Sequence, residues 1–310
     1  MKKEIKLTLT QKEYSRKRAE FDKKFLTYET KQLRKNAIIY DKVIQSSAKE
    51  LKAFYGEFAQ DSVVAYTEAI APIKNKAKIL KEIAQEIERV KGTGDLTYVA
   101  YLSDLQRKVK INRLDALNFQ IQKNVHDLAI ELNQTTDEYL VGAYERSYSS
   151  QAAALAELTE RKIPGKMYKT RVQKAVFAEY NGLSFSDRIW QDKDKLTSSL
   201  RTSLQDMFVR QQHIEPAVKQ IVERLEVNRS YAERIVRTEG ARVTEAATKQ
   251  AYQEAKIEKY QYDATMDERT SSICEELNGQ IFLLSEAQEG VNYPPMHPNC
   301  RSTTIPVFDE

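Results

Sequence analysis

Two cysteines and one histidine stand close together near the C-terminal end of the chain: Cys274, His297 and Cys300. Thiolate and imidazole are zinc ligands, and a His-x-x-Cys pair can set both side chains on one ion when a turn intervenes. Asp267 is the one obvious fourth ligand nearby. The pattern is nonetheless incomplete. Structural zinc usually arrives with two CxxC-like pairs, and only half of one is present. A catalytic Cys2His site with an open position would need a general base, and none is marked by spacing. Three readings stay open at this point. The residues bind zinc, or they are structural with His297 hydrogen-bonded to the turn backbone, or Cys274 and Cys300 form a disulfide on oxidation.

A second group of chemistry-bearing residues is Arg237, Asp267, Arg269 and Arg301. Arginine clamps phosphate and carboxylate because its donors form a rigid fork. Loop arginines also tie irregular backbone down through carbonyls and a carboxylate, so a buried structural ion-pair network is the expectation here. Arg237 and Glu239 lie two residues apart on an expected helix, about 200° around its axis, and cannot both face one partner. His126 falls within an expected long helix and His213 just before a helix start, and neither has a nucleophile or paired acid in its spacing. No Walker loop, GxGxxG, HExxH, GxSxG or paired-carboxylate motif occurs. No enzyme and no cofactor beyond a candidate zinc ion are expected.

The elements that must position these groups can be read from composition and period. The chain has 310 residues, of which 30% are charged and 41% hydrophobic, with 9 glycines and 7 prolines. The mean hydropathy is −0.62. This composition is polar yet too rich in apolar residues for wholesale disorder, and so few breakers imply long regular elements. No apolar run approaches the roughly 18 residues of a membrane span, so no membrane partner is expected. The charged start of the chain lacks an apolar h-region, and two cysteines make no disulfide framework. Synthesis in a reducing cytoplasm is therefore the expectation. Residues 1–60 hold 15 Lys or Arg against 8 Asp or Glu, so the positive excess sits there. Lys12, Arg16, Lys17, Arg18, Lys23, Lys24, Arg34 and Lys35 are the candidate DNA contacts. The alternative is a solvated helix face on which these alternate with Glu13, Glu20, Asp22 and Glu29.

From residue 10 to about 160 the period is helical. Ile73, Leu80, Ile83, Ile87 and Val90 form one stripe, and Leu105, Val109, Leu114, Leu117, Ile121, Val125, Leu128 and Leu132 continue the habit. Breaks are expected near Gly92, where Asp95 caps the next helix, and near Gly142. Shorter helices are expected between 185 and 255, with Ser186 and Thr197 as caps and Pro216 opening a helix to about Glu226. Another helix, from about Ser230 to Ala255, carries a narrow face of Arg237, Ala241, Thr244, Thr248 and Ala251 that admits close packing. Trp190 is assigned to the core of the middle helices. Beyond residue 256 the period changes to two. Tyr260, Tyr262 and Ala264 alternate, Asn278-Gly279 marks a turn before Ile281–Leu284, and Pro306 makes the Thr303–Val307 strand an edge. The expected fold is mainly α with a small α+β C-terminal module: a long-helix bundle, then short helices and a small, loop-rich antiparallel β element. The division is 1–160 for the bundle with its basic arm and 161–310 for the module (helices 161–255, β-rich element 256–310).

Four segments together resemble the Mu-F-like minor head proteins, or head morphogenesis proteins, of tailed bacteriophages. They are Ser184-Phe185-Ser186-Asp187-Arg188-Ile189-Trp190, Ile235-Val236-Arg237-Thr238-Glu239, Asp267-Glu268-Arg269-Thr270-Ser271-Ser272-Ile273-Cys274 with Asn278-Gly279, and Pro294-Pro295-Met296-His297-Pro298-Asn299-Cys300-Arg301-Ser302. The order and spacing match from about residue 180 onward. Residues 1–150 carry no part of the resemblance, and Val209–His213 departs from a Gly-rich turn common in the family. On this resemblance Arg237, Glu239, Asp267, Arg269, Thr270 and Arg301 are family-motif residues of structural type. It implies a low-copy, non-enzymatic protein of the capsid interior at the portal vertex, made in the host bacterial cytoplasm. Such a protein acts in head assembly or leaves with the DNA. The implied partners are the portal protein, scaffold or major capsid protein, and DNA bound without sequence preference. Some relatives carry toxin domains after this module, and the chain's end at Glu310 leads us to expect none here. Two rivals of other classes are a zinc-dependent hydrolase or nuclease built on Cys274, His297 and Cys300, and a DNA-binding module outside any virion.

Overall fold

The computed structural model describes residues 9–165 and 167–308, so the charged start of the chain lies outside the described residues. Nine helices and three strands occur among them. The order is α1 (Leu9–Phe58), α2 (Tyr66–Ala69), α3 (Lys76–Val90), α4 (Leu96–Arg107), α5 (Arg113–Thr159), α6 (Lys169–Val176), α7 (Phe185–Val209), α8 (Ile214–Glu254), β1 (Lys259–Asp263), α9 (Ser272–Leu277), β2 (Ile281–Leu283) and β3 (Thr303–Val307). A mainly helical chain with a small antiparallel sheet at its C-terminal end is the expected class.

The chain forms two compact units. One comprises Met1–Arg34, Thr135–Phe185 and Glu233–Glu310, and the other Lys35–Gln134 and Ser186–Ala232. The chain crosses between the units after residues 34, 134, 185 and 232, and none of these points is residue 160, where the sequence suggested a division. Helices α1, α5 and α8 each contribute one stretch to one unit and the remainder to the other. A unit assembled from pieces of long helices leaves no composition break for sequence to find.

Within the second unit Leu80, Ile83, Ile87 and Val90 of the expected stripe lie on α3, while Ile73 precedes that helix. Ile79, Ile83 and Val90 are buried with Tyr98, Leu102, Leu105, Ile111 and Phe119, and Ile73, Leu80 and Ile87 pack around them. Asp95 is the N-cap of α4, its side chain accepting from the Tyr98 N–H. The second stripe is not one helix. It stops at Arg107 and restarts at Arg113, and Val109 is 85% exposed between them. Asn112 and Asp115 cause the restart. The Asp115 N–H donates to Asn112 Oδ1 at 2.7 Å and the Asn112 N–H donates to Asp115 Oδ2 at 3.2 Å, a reciprocal cap that starts a new helix.

Other expected breaks are absent for local reasons. Gly142 sits inside α5, where a Cβ would collide with the Tyr28 hydroxyl and with Arg146 Nη1 at 2.5 Å. The glycine makes room for a tyrosine and does not end the helix. The separate helices expected around 216–226 and 230–255 are one helix, α8. The Ser230 hydroxyl bonds back to the Val227 carbonyl at 2.7 Å and does not cap a new start. Thr197 likewise lies inside α7, and Ser186, in its first turn, accepts from Asn133 Nδ2 at 2.7 Å. Trp190 is half-buried beside His126, their ring centroids 5.7 Å apart.

The first unit carries the sheet. Strand order is β2-β1-β3, both pairings antiparallel, with Tyr260 opposite Phe282 on one side and Pro306 on the other. Proline in β3 fits because that strand is an edge. The small-residue face of α8 is filled closely, as its composition implied. The Ser147 hydroxyl donates to the Thr244 carbonyl at 2.9 Å, and Tyr139 lies against Gly240.

Candidate metal centre

The loop from β1 to α9 is organised by one carboxylate. The Arg269 N–H donates to Asp267 Oδ1 at 2.8 Å, and the Asp267 N–H donates to the Thr270 hydroxyl at 2.8 Å. That hydroxyl in turn donates to the Thr265 carbonyl at 2.7 Å. Arg301 closes the turn from the last loop, its two guanidinium nitrogens each 2.6 Å from an Asp267 oxygen. The fork and the Arg269 N–H hold the Asp267 carboxyl well below the usual carboxylate range. Asp267 is therefore spent as a loop clamp, and the expectation that it serves as a fourth metal ligand fails. This pair is also partly exposed, 37% on each side, rather than buried. Arg269 reaches Asp267 only at 3.9 Å and is 80% exposed.

Arg237 lies apart from this cluster. It pairs at 3.6 Å with Glu233 on its own helix. Glu239, two residues on, is fully buried and accepts from Arg242 Nε at 2.6 Å. The opposed orientation expected for 237 and 239 is what the helix presents. The buried arginine anchors are Arg242 and Arg18, which the sequence did not single out for that role. Arg242 donates to the Ala175 and Val176 carbonyls at 2.9 Å each, capping the end of α6.

Ser271 caps α9 and accepts from the Cys274 N–H, which sets Cys274 in the first turn and turns it inward. Asn278 ends that helix, its side chain accepting from the Ala264 N–H at 3.0 Å, and Gly279 takes a φ of 80° to enter β2. The 296–302 turn is fixed by the Cys300 N–H donating to the His297 carbonyl at 3.1 Å and the Asn299 N–H donating to Thr238 Oγ1 at 3.1 Å. These anchors bring together residues 23 and 26 positions apart in the chain. Cys274 Sγ lies 3.3 Å from His297 Nε2 and 3.8 Å from Cys300 Sγ, and all three ligand atoms fall within 4.8 Å of one another. Both cysteines are buried free thiols, and His297 is half-buried. The disulfide reading does not hold for this state.

The surroundings favour negative sulfur at Cys274 and disfavour it at Cys300. The Tyr262 hydroxyl donates to Cys274 Sγ at 3.3 Å. Burial acts to raise the Cys274 thiol, but hydrogen bonds with Ser271, Ser302, Tyr262 and His297 overcome it and bring it down to about 7. Burial dominates at Cys300 and pushes its thiol up, against N–H donors from Met296 and Ser302. Sequence reading missed Tyr262 and Ser302, since a strand alternation and a loop serine carry no sign of what they touch.

The basic segment divides residue by residue. Lys12, Arg16, Lys23, Lys24, Arg34 and Lys35 are exposed along α1, with Arg16 bound to Glu20 at 3.1 Å. Lys17 is half-buried and pairs with Glu157 at 2.8 Å. Arg18 is buried and bonded to Glu245 at 2.5 Å and to Asp22 at 2.9 Å, so it is not a DNA contact. The helical period put it on the same inward stripe as Tyr14 and Phe21. His126, assigned no acid partner from its spacing, has one through the fold. Its Nδ1 lies 2.8 Å from Asp95 Oδ2, which also accepts from Lys193 Nζ at 2.5 Å.

Residues 199–305 match the family described as phage Mu protein F like protein. This stretch, which takes in α8, β1, β2 and the Cys-His cluster and ends within β3, is similar to that family. Among curated proteins, an uncharacterized protein of Haemophilus influenzae is 33% identical over 75 residues. The matched stretch covers 24% of this chain and 17% of that protein. No solved structure matches the chain. No helix among the described residues is long and apolar enough to cross a membrane.

Proposed function

We propose that this chain, Mu-F-like over residues 199–305, is a non-enzymatic component of a tailed-phage head. It sits inside the procapsid at the portal vertex, acts in head morphogenesis and assists DNA delivery. The observation that carries this reading is the family match, which includes the loops where Asp267, Arg269, Thr270 and Arg301 come together. Asp267, Thr270 and Arg301 rigidify the loop, and Thr238 ties the 296–302 turn to α8. Motif residues spent on holding a surface in shape suit a docking module better than a reaction centre. The portal protein is the partner assigned to that module, with scaffold or major capsid protein as secondary contacts.

The exposed lysines and arginines of α1 support DNA contact of the phosphate-only kind. Such contact is independent of sequence and falls steeply with salt. Quantitative mass spectrometry of purified DNA-filled particles, with the portal protein as internal standard, tests the placement. A few to a dozen or so copies per portal ring is the expected result. Absence from particles that contain portal would overturn it.

A further inference from the structure

We propose that Cys274, His297 and Cys300 hold one zinc-class divalent cation that clamps α9 to the 296–302 turn, with an oxygen donor completing the tetrahedron. Zinc bonds of ~2.3 Å to sulfur and ~2.0 Å to nitrogen, at the tetrahedral angle, separate two sulfurs by ~3.8 Å and sulfur from nitrogen by ~3.5 Å. The structure has 3.8 Å between the sulfurs and 3.3 Å from Cys274 Sγ to His297 Nε2. The third separation lies within 4.8 Å. Seating the ion therefore draws His297 and Cys300 together by at most about 1.3 Å.

The imidazole is already oriented for this role. Its Nδ1 is 2.9 Å from the Pro298 carbonyl, which can only accept. Nδ1 can donate to that carbonyl, which leaves Nε2, the nitrogen facing the sulfurs, as the ligand atom. A metal-bound histidine ordinarily donates its other N–H to a carbonyl in this way. The Tyr262 hydroxyl, donating to Cys274 Sγ, adds an outer-shell contact of the kind that orients a metal ligand. A divalent cation would take both sulfurs as thiolates, displacing their protons on binding. Among the described residues no carboxylate joins the three ligand atoms, and Asp267 is held by Arg301, so the ion acts as a structural clamp.

This proposal does not depend on the placement in a phage head. Its test uses the full chain, reduced with a phosphine, freed of metal and titrated with Co2+ and then Zn2+. One equivalent of cobalt should bind, with the strong red-region absorption of a tetrahedral ion and a sulfur-to-cobalt charge-transfer band. Zinc should bleach both and raise the melting temperature. His297→Ala and Cys300→Ser should each lower affinity by at least 10-fold. Should those variants fail to fold, the wild-type cobalt spectrum and the zinc-dependent protection of both thiols from a disulfide reagent decide the matter. Uptake below a tenth of an equivalent with fully reactive thiols would overturn the proposal, as would unchanged cobalt binding in a folded Cys274→Ser/Cys300→Ser variant.

Discussion

Replacing Arg18 with methionine should unfold this protein more readily rather than merely weaken its hold on DNA. Arg18 Nη2 donates to Glu245 Oε1 at 2.5 Å, its Nε to Asp22 at 2.9 Å and its Nη1 to Thr248 at 3.2 Å. The Arg18 and Glu245 side chains are 7% and 2% exposed. Glu245 also accepts from the hydroxyls of Thr303 at 2.9 Å and Thr304 at 3.3 Å, so one buried charge ties α1, α8 and β3 together. Asp22 and Asp263 add negative charge beside it. Methionine fills the stem's volume but leaves Glu245 with two hydroxyls and two like charges nearby. Breaking a buried pair in this way costs about 3–5 kcal/mol.

The pH dependence has a definite sign. Burial already pushes the Glu245 carboxyl up, against the pull of Arg18, and loss of Arg18 pushes it up further. A carboxyl raised in the folded state is stabilising while protonated, below its unfolded value, and that contribution is lost as the pH rises through the folded one. The deficit of the variant should therefore be largest near pH 8 and shrink toward pH 5. Urea unfolding followed by circular dichroism at both pH values measures it. Hydrogen exchange over 235–255 and 303–307 localises it. A double variant with Glu245→Met should recover most of the loss. A single variant within 1 kcal/mol of wild type at pH 8 would refute the reasoning, since the pair would then be hydrated as at an ordinary surface.

Four further outcomes are expected. Burial acts to raise Asp95, but bonds from His126, Lys193 and the Tyr98 N–H hold its carboxyl at about 2 against an ordinary 3.8. About 2 kcal/mol of stability should thus be present above pH 4 and lost as the pH falls through 2, and Asp95→Asn should remove this acid-side slope in an unfolding series. Gly56→Ala, with nothing within 4 Å of the added Cβ, should stabilise by about 0.5–1 kcal/mol, as read from a shift in the urea midpoint. Gly240→Ala drives a Cβ into Tyr139, with ring carbons at 3.2 Å, and overpacking of about 1–3 kcal/mol should offset or exceed the propensity gain in the same assay. If α1 meets DNA, Lys12, Lys23 and Lys24 changed together to Gln should reduce the slope of log affinity against log salt by up to about 2.7, with stability unchanged.

Residue type and period alone determined a good deal here. Helical stripes, the Asp95 cap, the Tyr260/Tyr262 alternation, the edge strand marked by Pro306 and the Cys274–His297–Cys300 trio were all legible, because each rests on neighbours within a turn or a strand or on a scarce residue type. Helix ends were harder. The Asn112/Asp115 cap and the continuity of α8 through Ser230 depend on which of two local hydrogen bonds wins, and packing decides that. The fate of individual charges was not legible at all. Arg18 looked like one more base in a positive run, and burial against Glu245, 227 residues away, made it a structural anchor. Asp267 looked like a ligand until Arg301 took both its oxygens. Desolvation and fork geometry fix those roles, and both exist only once distant segments are brought side by side.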